Sequence, residues 1–105
     1  MKSRPNINVQ AANIFLRAAT YIRHYGWQIE GMGIDGGQRC SMGALDSAYP
    51  KVAWDKKLAA VMYRTLYEEL DGLSLTQFNS RHKSGEKVAR LFERTAARLR
   101  QGAAL

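Results

Sequence analysis

SGEKVARLFERTAARLR, residues 84–100, decides the architecture. Ser84 can cap a helix, and Glu86 falls in its first turn, where the dipole favours an acid. At about 100° per residue, Lys83, Lys87, Arg90, Arg94 and Arg98 fall within an arc of roughly 80°. Val88, Leu91, Phe92, Ala96 and Leu99 make up the apolar side, and Glu86 and Glu93 sit at one margin of the basic stripe. The period is helical and the division of the two faces is clean, so residues 85 to 101 are expected to form an amphipathic helix with one side in a core.

Working upstream, the same period recurs. Lys57, Arg64 and Glu68 share the wet side of a helix over residues 52–70, against Trp54, Leu58, Val61, Met62, Thr65 and Leu66. Between these two helices, Leu73, Leu75 and Phe78 suggest a single helical turn or an extended link. Residues 40–49 read as a short helix of small side chains, stopped by Pro50. Val9 to Tyr25 reads as the first helix, with Ala11, Ile14, Phe15, Ala18, Ile22 and Tyr25 on one side. Asn8 is its expected cap and Gly26 its stop. Five of the nine glycines fall in residues 26–39, where Asp35-Gly36-Gly37 signals a turn. The expectation is an all-α, four-helix domain with a Gly-rich loop or small β-hairpin between helices 1 and 2. Phe15, Ile22, Trp54, Leu58, Val61, Leu91 and Phe92 should be buried together.

Composition bounds the function. The 105 residues suit one domain over 1–105, with tails at 1–7 and 102–105. Hydrophobic residues at 46% and charged residues at 24% argue against disorder. One cysteine rules out an internal disulfide and an all-cysteine zinc site. No apolar run approaches the ~20 residues of a membrane span, and the first residues lack a signal peptide's apolar stretch. The expected setting is the cytoplasm, with no membrane partner.

Three segments resemble a known family. They are Gly26-Trp27 after an amphipathic helix, Cys40-Ser41-Met42-Gly43-Ala44-Leu45, and Phe78-Asn79 ahead of the last helix. The resemblance is to small helical domains of unknown function from actinobacteria and their phages, and it covers most of residues 11–96. Phe78-Asn79-Ser80 stands where that family usually carries Trp-Asn-Asp. The resemblance implies a fold class and a phage or actinobacterial setting. It implies no activity and no catalytic residue.

Charge supplies the functional lead. The chain carries +7, of which residues 81–100 hold seven basic and two acidic side chains, or +5. Residues 1–80 hold nine basic and seven acidic ones, or +2. So polarised a charge favours an acidic partner. The leading expectation is a non-enzymatic interaction module, with Lys83, Lys87, Arg90, Arg94 and Arg98 engaging an acidic protein surface. Nucleic acid is the alternative for the same helix, since residues 75–81 followed by 86–91 resemble a helix-turn-helix. Its departures are His82 and Lys83, where such motifs carry a leucine and a glycine, Asn79 in place of a small apolar residue, and a spacing short by about one residue. A third alternative is a cysteine enzyme: Cys40 lies beside Arg39 near a helix start, with Asn79 and His82 or His24 as partners. A buried packing role for Cys40 is the simpler expectation. No His-x-x-x-His or Cys-x-x-Cys spacing exists, so neither a metal nor a cofactor is expected.

Overall fold

The computed structural model describes residues 6–28, 33, 36–49 and 55–103. The order of elements is α1 (Ile7–Tyr25), α2 (Ser41–Ala48), α3 (Lys56–Leu70), α4 (Leu75–His82) and α5 (Gly85–Ala103). The fold is all-α, as its sequence predicts, but with five helices among the described residues where four were expected.

The extra helix is α4. Its apolar residues are too few to reveal a period, and it is started instead by a capping box. The Ser74 hydroxyl accepts from Gln77 N–H at 3.0 Å, and the Gln77 side chain accepts from Ser74 N–H at 2.9 Å. Two otherwise unpaired amides are satisfied at once, which suffices to start a helix of eight residues. Leu75 and Phe78 then turn into the core.

The first helix begins at Ile7 rather than Val9, because Asn6 and not Asn8 caps it. The Asn6 side chain accepts from Asn8 N–H at 2.8 Å. Asn8 instead donates its side-chain amide to the Leu99 carbonyl at 3.2 Å, tying α1 to α5. On α3 the cap is Asp55, which accepts from Lys57 and Leu58 N–H. The expected start of that helix at Val52, and the core position given to Trp54, lie outside the described residues.

The most extensive packing is between α1 and α5. Ala11, Ala12, Ala18 and Ala19 are fully buried on α1, so the two backbones can lie close. Phe15 and Phe92 meet in that seam with ring centroids 5.4 Å apart. Val88, Ala89, Leu91, Ala96 and Leu99 complete the α5 side. Both α2 and α3 pack on α1, and α3 also reaches α5, with Leu58, Met62, Leu66 and Leu70 in the shared core. Val61 is half-buried at the edge of this core. Thr95 is the one polar residue deep in the α5 face, and its hydroxyl donates to Leu91 O at 2.8 Å.

No strand occurs among the described residues, so the expected hairpin is not seen there. Trp27 and Arg39 form an isolated parallel bridge, with Gln28 N–H donating to Arg39 O at 3.1 Å. A hairpin needs antiparallel pairing. Residues 29–32 and 34–35, where most of the expected loop or hairpin falls, lie outside the described residues. Gly33 has φ +73, and a Cβ there would sit 2.1 Å from the Gln38 carbonyl oxygen, so the chain folds back on itself too closely for any side chain.

Candidate interaction surface

Helix α5 presents its basic side away from the core, so Lys87, Arg90, Arg94 and Arg98 lie exposed, whereas Lys83, expected at the head of the same stripe, is the left-handed cap of α4 and lies exposed just ahead of α5. Neighbouring helices bring acids to part of that stripe. Arg98 pairs with Glu69 at 2.7 Å and Glu68 at 3.1 Å, both on α3. Arg94 approaches Glu69 at 3.5 Å, and Arg90 approaches Glu86 on its own helix at 3.3 Å. Three of the five stripe cations therefore serve the fold as well as the surface. Lys83 and Lys87 make no ion pair among the described residues. Arg81, exposed on α4, makes none either.

The acids at the margin of the stripe have their own cation. Arg23 of α1 is hydrogen-bonded to both Glu86 and Glu93, with shortest contacts of 2.9 and 2.8 Å. Its guanidinium holds both carboxyls below the usual glutamate range. Those acids in turn push the guanidinium pKa up, Glu93 most strongly. The result is a clamp across the α1–α5 seam. Only the Glu86–Arg90 pair is legible in sequence, through its i,i+4 spacing. Nothing in sequence places Glu68, Glu69 or Arg23 beside α5.

The three segments that carry the family resemblance meet at one place. Gly26 ends α1 with φ +95, which lets the chain turn so that Trp27 lies against Gly85 at the start of α5. A Cβ on Gly85 would sit 2.8 Å from Trp27 Cβ. The Trp27 indole N–H donates to Ser41 Oγ at 3.1 Å, and Ser41 donates to Asn79 Oδ1 at 2.8 Å. Asn79 is therefore a buried partner within α4.

Cys40 sits immediately before this relay as the cap of α2, its sulfur accepting from Gly43 N–H at 3.4 Å. It is half-buried. Among the described residues it has no hydrogen bond to His24, His82 or Asn79, and the Asn79 carbonyl oxygen is already taken by Ser41. His82 packs on Phe78 at 4.3 Å, and His24 meets the edge of Tyr25 at 4.5 Å. Arg39, beside Cys40, is buried and bonds Ser47 and Asp46 within its own segment. Among the described residues, no group of three or more His, Cys, Asp or Glu side chains could hold a metal ion. No helix among them is long and apolar enough to cross a membrane.

Five helices on an α1–α5 seam, with a partly neutralised basic stripe outside it, define a small all-α domain with a charged exposed face. The chain belongs to a family of unknown function, DUF6197, whose model matches residues 7–98. No curated protein and no solved structure matches it significantly.

Proposed function

We propose that the protein is a non-enzymatic interaction module that engages an acidic protein surface through the head of the α5 stripe. Lys83 and Lys87 are the centre of that contact, and Arg90, Arg94 and Arg98 extend it. The observation that carries this reading is the division of labour within the stripe: the three arginines have carboxylate partners, whereas the two lysines have none among the described residues. Lys83 adds a second support. It caps α4 with φ +47, a left-handed position that suits glycine or asparagine better. A lysine held at an unfavourable backbone position is expected where its charge has a use.

A protein partner is favoured over nucleic acid by the acids that flank the stripe and pair with its arginines. Glu68, Glu69 and Glu86 would face a phosphate backbone along the stripe and repel it, while a protein surface can offer both signs. The role of Cys40 as a helix cap gives the cysteine-enzyme alternative no support. A cytoplasmic, actinobacterial or phage setting belongs to the same reading. The test is recovery of the partner from nuclease-treated host lysate by the tagged chain and by its Lys83→Gln/Lys87→Gln variant. The parent should recover an acidic protein and the variant should lose it while melting at the same temperature. Recovery that disappears with nuclease would favour nucleic acid, and equal recovery by both chains would remove the lysines from the contact.

A further inference from the structure

All five tyrosines of the chain fall on α1, α3 and the residue that ends α2, and none falls on α4 or α5. Three of them, Tyr21, Tyr25 and Tyr49, line an open groove of about 670 Å³ between the outer side of α1 and the end of α2. Tyr21 and Tyr25 stand one turn apart with ring centroids at 4.7 Å. Two of the rings are fixed by their hydroxyls. Tyr21 donates to Gly37 O at 2.7 Å and accepts from Gly36 N–H at 2.9 Å. The Tyr49 hydroxyl donates to the Asp55 carbonyl and accepts from the Asp55 N–H, both at 3.3 Å. With those two hydroxyls tied to backbone, the ring most open to a ligand is that of Tyr25. Tyr25 is 42% exposed.

The same groove carries a cation and no acid among its described lining residues. Arg17, which lines the groove, donates Nε to the Ala48 carbonyl at 3.4 Å, and no carboxylate pairs with it among the described residues. His24, beside it, adds an imidazole. Fixed rings beside an uncompensated guanidinium are the two elements that recognise a flat base carrying an anionic phosphate. An acidic peptide would use Arg17 and leave the rings idle. We propose that this groove binds a nucleotide unit, its base against Tyr21, Tyr25 and Tyr49 and its phosphate at Arg17 and His24. The unit can be a free nucleotide or part of a single strand. The groove is separate from the α5 stripe and the inference does not depend on it.

The test is fluorescence anisotropy of the full chain with a labelled oligothymidylate, with unlabelled thymidine monophosphate and polyglutamate as competitors. Tyr25→Leu changes no charge and should weaken oligonucleotide binding about tenfold. Arg17→Gln should weaken it and lower the salt slope by about 0.7. Lys57→Gln removes the same charge outside both the groove and the α5 stripe and should shift affinity by less than about twofold, as expected for a screened surface charge. Circular dichroism should report unchanged folding for all three. Competition by the monophosphate points to a free nucleotide, and binding of the oligonucleotide alone points to a strand. Equal competition by polyglutamate, an unchanged affinity in Tyr25→Leu, or no binding of either nucleotide probe would overturn the proposal.

Discussion

Ser41 joins two side chains that are far apart in sequence, accepting from Trp27 and donating to Asn79. Ser41→Ala would strand the Asn79 carbonyl oxygen and the indole N–H in a region with little access to water. The expected loss is about 1–3 kcal/mol in a urea titration. Gly85 sets a steric limit at the same point. Alanine is normally better in a helix by about 1 kcal/mol. Here its Cβ would meet Trp27 Cβ at 2.8 Å and Ile22 Cγ2 at 3.3 Å, neither of which can swing aside. Gly85→Ala should therefore destabilise by about 1–2 kcal/mol, since overpacking outweighs propensity. A gain in stability would mean that Trp27 does not lie where described. Sequence reveals Gly26, Trp27, Cys40 and Asn79 as notable residues. It does not reveal that Ser41 connects Trp27 to Asn79, because the connection is made by tertiary packing and leaves no spacing to read.

At the scale of elements, α5 was the most legible part of the chain, since its apolar residues, Val88, Leu91, Phe92, Ala96 and Leu99, are all buried. Leu91→Ala should cost about 2–5 kcal/mol in the same titration. The Arg23 clamp between α1 and α5 has a distinct pH signature. Glu86 and Glu93 are held below their usual value of 4.5 by Arg23. A carboxyl with a lowered folded-state pKa adds stability that is fully present above its unfolded value and is lost as pH falls through the lowered one. Arg23→Gln should therefore be less stable than the parent at pH 7, and the difference should shrink as the solution is acidified below pH 4.5. A difference independent of pH would show that Arg23 acts through packing alone. By contrast α4 is read from sequence only as a single helical turn or an extended link, from Leu73, Leu75 and Phe78. The Ser74-to-Gln77 spacing is its further signal, and a capping box is easily passed over when no longer apolar period follows it.

For the whole molecule, helix existence was readable from periodicity, but the neutralisation of the stripe was not. Glu68 and Glu69 lie about thirty residues from Arg98 in sequence and meet it only because α3 packs beside α5. Five aligned cations thus read as one surface, and the fold divides them. That division makes the lysine and arginine substitutions separable. Lys83→Gly should raise stability by roughly 1 kcal/mol, because glycine adopts the left-handed cap without strain, and it should weaken partner binding. Arg94→Gln/Arg98→Gln should lower the melting temperature, since Glu69, whose side chain is only 14% exposed, loses both its cations.

The most direct measurement is the affinity of the recovered partner for two variants side by side, with melting temperature recorded for each. Lys83→Gln/Lys87→Gln should melt like the parent and lose more than about 1 kcal/mol of binding per residue, beyond what solvated surface charges contribute. Arg94→Gln/Arg98→Gln should melt lower and lose less binding. Equal affinity of the parent and the lysine variant, or a larger loss in the arginine variant, would contradict the placement of the contact at the head of α5.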